Sequence, residues 1–318
     1  MKAFKRMLAL TMAAASLLAC AACGAKTEPT RETTADATTK VEVETAQPTG
    51  NFTFTQENYP KMGGSLAAKP LGQAVTSSVL GIDRETADGM ISFTGSTTDN
   101  YNALVDGKFD ILLAYEPSEQ ALAYAKEKGF EWEMTAVGAD ALVFICSKEN
   151  KVASLTTQQI KDIYTGKITK WSEVGGSDSA IIPYQRNKDS GSQTLFDKII
   201  NLGDDLIEPA KDQQIGSMIG LLEAVADYEN AADALGYTVY YYLTNMEGEK
   251  LNTAKILAVD GVQPTNDTIA SGAYPFVNDF YVVIPKDLPE DAPARILYNW
   301  ICSAQGKQLV VQEGYVAR

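Results

Sequence analysis

Ala180-Ile181-Ile182-Pro183-Tyr184-Gln185-Arg186-Asn187-Lys188-Asp189-Ser190-Gly191-Ser192-Gln193-Thr194-Leu195-Phe196 reads as strand, turn and helix in one pass. The apolar run 180–184 looks like a strand, and Leu195, Phe196, Ile199 and Ile200 return at helical spacing. Ser190 and Gln193 make a Ser-x-x-Gln capping box at the helix start. Gly191, Ser192 and Gln193 would then point unpaired backbone N–H groups out of the helix N-terminus, where the dipole favours an anion. Gly191 allows close backbone approach, Ser190 and Ser192 add hydroxyl donors, and Arg186 offers a planar fork suited to an oxyanion. The plain alternative is a capped helix beside a surface arginine.

The same alternation continues on both sides. Ile111-Leu112-Leu113-Ala114, Ala141-Leu142-Val143-Phe144-Ile145 and Phe280-Tyr281-Val282-Val283-Ile284 read as buried strands. Residues 70–80 read as a helix opening on Pro70, with Leu71, Val75 and Val79 on one face. Residues 156–164 read as another, with Thr156 and Gln159 as its capping box. Strands alternating with helices predict an α/β protein. Two further glycine turns carry hydroxyls into helix starts, Gly63-Gly64-Ser65-Leu66 and Gly95-Ser96-Thr97-Thr98. Three such starts could converge on one oxyanion, although spacing alone does not bring them together. Tyr240-Tyr241-Tyr242 looks strand-like and is read as packing, as are Trp132, Trp171 and Trp300. Asp204, Asp205 and Glu208 lack calcium-loop spacing, so no metal and no cofactor is expected.

Composition narrows the chemistry. The chain has 318 residues, 45% hydrophobic and 21% charged, enough for a sizeable core. It contains no histidine, which excludes Ser-His-Asp and Cys-His nucleophile activation and imidazole zinc sites. A formal charge of −14 argues against a nucleic-acid-binding face. No phosphate loop of the Gly-x4-Gly-Lys-Ser/Thr type is present.

The N-terminus reads as an export signal over residues 1–19. Lys2, Lys5 and Arg6 precede an apolar run from Leu8 to Ala19, too short to span a bilayer. Leu17-Leu18-Ala19-Cys20 resembles a bacterial lipobox, with Cys20 the acylated residue and Cys23 the alternate. Two acyl chains, palmitate among them, suffice for stable anchoring where one is marginal. Loss of the three signal cations takes the net charge from −14 to −17. Residues 20–54 read as a disordered Thr/Ala/Glu-rich tether; a coil of ~30 residues reaches roughly 30 Å. Cys146 and Cys302 could pair in an exported protein but read as buried thiols.

Over residues 59–318 the chain resembles the phosphate-binding (PstS-like) substrate-binding lipoproteins of ABC transporters. The resemblance rests on Leu155–Gly176, with its run Ile163-Tyr164-Thr165-Gly166-Lys167-Ile168-Thr169-Lys170-Trp171, and on the Arg186–Thr194 segment. Leu235-Gly236-Tyr237, Asp260-Gly261-Val262-Gln263-Pro264-Thr265, Tyr274-Pro275-Phe276 and Gly314-Tyr315-Val316 also match. The resemblance implies a two-lobed periplasmic-binding-protein clamshell, each lobe a mixed sheet flanked by helices. Lobe I would hold 55–140 and 276–318, and lobe II 141–275. Interlobe strands near Ala141–Ser147 and Val277–Ile284 would carry the hinge. Phosphate in the cleft would contact Ser65, the backbone of Leu66, Thr97 (alternate Thr98), Arg186, Ser190, Gly191 and Ser192. Leu66 stands where many members carry threonine, which removes one donor. Glu116 is the candidate for the family's carboxylate that accepts a proton carried by phosphate, with a register uncertain by one residue. Such an acid rejects sulfate, which brings no proton. An acid before Pro117 also suits a helix start on dipole grounds alone. The implied partners are inorganic phosphate, a permease with its ATPase, and the membrane through the lipid, with the protein a monomer. A phosphate sensor, a binder of another oxyanion or a metal-dependent phosphatase are the competing readings.

Overall fold

The computed structural model describes residues 52–226 and 231–318. The signal, Cys20, Cys23 and nearly all of the tether lie outside them. All described residues belong to one compact unit, Val43–Arg318. The tether boundary at 54 falls too late: Phe54 is buried and packs edge-on against Phe52 and Tyr59. Two aromatics supply the apolar area that the preceding Thr/Ala/Glu run lacks.

A mixed nine-stranded sheet organises the chain. Its strands are β1 (Met62–Ser65), β2 (Ile91–Thr94), β3 (Ile111–Tyr115), β4 (Trp132–Ser147), β5 (Ile182–Pro183), β6 (Ala234–Val239), β7 (Ala254–Ile256), β8 (Val277–Pro285) and β9 (Val316–Ala317). The path runs β2-β1-β3-β8-β4-β6-β5, with β7 and β9 also on β4. β1, β2 and β3 are parallel, as are β5 and β6, while every pairing to β4 is antiparallel.

β4 is the strand that differs most from its expected form. The apolar pattern predicts a strand over 141–145, whereas the strand has 16 residues. Residues 132–141 pair with β8, and residues 142–146 pair with β6. The handover falls between Ala141 and Leu142, inside the expected hinge. A register shift between Phe280 and Tyr281 bends β8 beside it.

The helices that matter to the site are α1 (Lys69–Leu80), α2 (Thr97–Val105), α3 (Glu119–Lys128), α4 (Thr157–Tyr164) and α5 (Gly191–Ile200). Thr156 and Gln159 form the full capping box of α4. α5 is pinned by aromatics: Phe196 stacks on Tyr237 at 4.6 Å and lies 4.7 Å from Tyr164, against Phe144 of β4. Such pairs contribute roughly 0.5–1.5 kcal/mol each beyond buried area. The Tyr240–Tyr242 run does not extend β6. The strand stops at Val239, and a π-helical turn occupies Tyr242–Met246. The Asp140 carboxylate receives the Tyr241 N–H there, a bond that takes this N–H out of any strand ladder. Cys146 and Cys302 are both free thiols, and burial pushes Cys146 up to about 12.

Candidate functional site

Arg186 lies at the end of the strand pair Gln185–Arg186 and Gln214–Ile215. It is only 2% exposed. Its backbone N–H donates to Gln193 Oε1 (3.1 Å) and to the Tyr237 hydroxyl (3.0 Å). The guanidinium is held by Nε to Ile215 O (2.9 Å), Nη2 to Gly216 O (3.3 Å) and Nη1 to Ser192 Oγ (3.2 Å). These use three of its five N–H donors. Among the described residues no carboxylate pairs with it, and burial lowers its pKa to about 10. A buried cation with no counter-ion is costly unless an anion completes it.

Ser190 caps α5 by accepting the Gln193 N–H at 3.1 Å. The reciprocal half of the expected box is missing. Gln193 turns instead to Arg186, Tyr237 and Asp197, so it braces the arginine loop. Ser190 and Ser192 are both buried. Gly191 is required by a close approach: a Cβ there would sit 2.5 Å from Thr97 Oγ1. A backbone bridge between Ser96 and Ser190 joins the same two helix starts.

Ser65, at the end of β1, completes the cluster. Its Oγ lies 3.2 Å from Thr97 Oγ1 and accepts the Tyr115 N–H at 3.3 Å. Ser65, Thr97, Ser190, Gly191, Ser192 and Arg186 are therefore drawn together from three segments far apart in sequence. Thr98 departs from them: its hydroxyl bonds the Ser118 hydroxyl at 2.7 Å, at the cap of α3. Leu66 opens a short 3-10 turn and faces a cavity of about 490 Å³. The cavity borders Arg186 and Asn187 on one side and Ser96, Asp99 and Asn100 on the other.

Glu116 is placed elsewhere. Its carboxylate pairs with Lys198 of α5 and accepts the Tyr281 hydroxyl at 3.0 Å. One residue earlier, Tyr115 occupies the end of β3 and donates its hydroxyl to Asp140 Oδ2 at 2.6 Å. Asp140 carries no periodic signal in the sequence. It sits at the β4 handover, 1% exposed, and its Oδ1 accepts N–H groups from Ala141 (2.8 Å) and Tyr241 (2.9 Å). Among the described residues no cation pairs with it, and burial raises its pKa to about 6. A lone acid in the run Val137-Gly138-Ala139-Asp140-Ala141-Leu142 was the available signal. Through Tyr115 it reaches Ser65, and through Tyr241 it holds the chain beyond β6.

With this geometry in place, the comparisons with known proteins agree in direction. A family model described as the PBP superfamily domain matches residues 32–303. The phosphate-binding protein PstS of Borreliella burgdorferi is 28% identical over 184 residues, covering 57% of this chain and 64% of that protein, just under two thirds of its length. The protein of the same name from Bacillus subtilis is 28% identical over 279 residues, 86% of this chain and 81% of that one. Among solved structures, a phosphate ABC-transporter substrate-binding protein of Clostridium perfringens with bound phosphate superposes with a TM-score of 0.65. It is 23% identical and covers 82% of this chain and all of the other. An ABC-type phosphate transport receptor of Vibrio cholerae gives a TM-score of 0.59 at 20% identity, covering 80% of this chain and 98% of the other. At these identities the structures establish the fold.

Proposed function

The chain belongs to the PBP superfamily, and on that premise we propose that it captures inorganic phosphate and delivers it to an ABC permease without turning it over. The observation that carries this reading is Arg186, a buried cation with no carboxylate partner among the described residues, set beside the hydroxyls of Ser65, Thr97, Ser190 and Ser192. Cation, hydroxyls and helix N-terminus are all donors to the anion, the arrangement a tetrahedral oxyanion requires. The names of the relatives supply phosphate as the anion.

Residues 55–140 with 276–318 form one lobe in this reading, and 141–275 the other. The lobes swing about the β4 handover and β8. Ser65 and Thr97 then belong to the first lobe, and Arg186 and Ser190–Ser192 to the second, so the anion itself bridges them. Thr98 and Glu116 are released from the contact set, since each has a partner elsewhere. The net negative charge does not oppose capture, because exposed charges are screened beyond about 10 Å at 0.1 M salt. Export and acylation at Cys20 place the head outside the cell membrane; incorporation of labelled palmitate that survives Cys20→Ser would refute that assignment.

Titration calorimetry of acyl-free protein with phosphate, arsenate, sulfate and molybdate is the test. Phosphate should bind with micromolar or tighter affinity and no product should form. No heat with phosphate, but a clear response to another oxyanion, sinks the reading.

A further inference from the structure

The anion cluster and the cavity beside it are different places. Of the residues expected to touch phosphate, only Leu66 and Arg186 line the cavity; Ser65, Thr97 and Ser190–Ser192 do not. The cluster itself is tight, with the Ser65 and Thr97 hydroxyls 3.2 Å apart. The cavity, at about 490 Å³, lies in the range of roughly 300–1,000 Å³ that small organic ligands occupy.

Its walls are also wrong for a bare dianion. Leu66, Ala103, Phe109, Met218 and Ile219 are among its lining residues. A strongly hydrated anion gains nothing from apolar walls, whereas a carbon substituent does. Met218 adds an adaptable wall. Asp99, at the start of α2, adds an acceptor to the lining.

We propose that this cavity seats the substituent of a phosphate monoester, a few carbons long and bearing a hydroxyl or ammonium donor, whose phosphoryl group lies on Arg186. The proposal rests on the oxyanion reading of Arg186 and extends it from a free anion to its esters. The substituent packs on Leu66, Phe109 and Met218, and its donor meets Asp99. Asp99 repels a second negative group, so a substituent ending in a carboxylate is disfavoured.

Ala103 makes the test clean, because it lines the cavity and contributes no polar group to the anion cluster. Wild type, Ala103→Phe and the smaller Ala103→Leu are titrated with inorganic phosphate, glycerol 3-phosphate and O-phosphoethanolamine, after circular dichroism shows native folding. At least one ester should bind wild type. Filling the cavity should weaken that ester by about tenfold or more and shift phosphate by less than about twofold. Wild type that binds phosphate but neither ester overturns this proposal and leaves the phosphate reading standing. Equal losses for phosphate and ester in both filled variants also overturn it. Ester binding with no phosphate binding supports it and refutes inorganic phosphate as the ligand. Binding of neither class removes both.

Discussion

Two buried charges, Arg186 and Asp140, each lack an ion-pair partner among the described residues, and the fold treats them in opposite ways. Arg186 borders an open cavity, held by two carbonyls and one hydroxyl with donors left over. Asp140 is closed in, both oxygens occupied by Ala141, Tyr241 and Tyr115. Burial shifts both toward neutrality, Arg186 down to about 10 and Asp140 up to about 6. The arginine remains ionised at neutral pH despite this, while the aspartate titrates near it. In the proposed function, the unfilled donor set facing the cavity is what binds the anion. A filled acceptor set at a strand crossover marks a structural joint, one that ties Tyr115 of β3 to the backbone beyond β6.

Removing the charge at each position should separate the two roles. Arg186→Met should weaken phosphate binding by about 100-fold or more, the order of 2–5 kcal/mol found when one partner of a buried charged contact is truncated. Calorimetry on a variant of native circular dichroism reads it, and a loss under threefold would make Arg186 a packing residue.

Asp140→Asn should act on stability instead. The Asp140 pKa is raised by folding, from 3.8 to about 6, so its contribution to stability is complete below about pH 4 and is lost as pH rises through 6. The asparagine variant should therefore match wild type near pH 4 and gain on it up to pH 8, by at most about 3 kcal/mol. Its amide can still accept the two backbone N–H groups and donate to the Tyr115 oxygen. Thermal melts of both proteins from pH 4 to 8 check the trend; a difference that does not change with pH contradicts it.

Glu116→Gln should have the smallest effect. Its partner Lys198 is largely exposed, and such pairs contribute roughly 0–1 kcal/mol. Phosphate affinity and the preference for phosphate over sulfate should both change by less than about threefold in competition titrations. A collapse of that preference would return Glu116 to the anion.

The contrast between Arg186 and Glu116 also shows how far the sequence reached. Arg186, Ser190, Gly191 and Ser192 were legible because strand, turn and helix start lie within a few residues, and capping chemistry is local. The α4 capping box was legible for the same reason. Glu116 could not be placed that way, because its partner Lys198 lies 82 residues on. Thr98, the alternate to Thr97, is bonded by the Ser118 hydroxyl of another helix start, a contact no local spacing announces. Gln193 kept the spacing of a capping box, yet Arg186 and Tyr237 offered it better-buried partners. Asp140 went unnoticed because a lone acid inside an apolar run has no periodicity to mark it.

By itself the sequence determined the α/β alternation, the helix starts, the absence of histidine chemistry and the segment that carries the arginine. Those properties depend on side-chain period and on groups within one helical turn. Only the tertiary structure decided that β4 runs through 16 residues and changes partners at Ala141, that Ser65 meets Thr97 and Thr97 meets Gly191, and that the Asp140 carboxylate lies behind Tyr115. Each of these is a contact between segments distant in the chain. Burial, which fixes the charge and the hydrogen-bond needs of Arg186 and Asp140, exists only once those segments have packed.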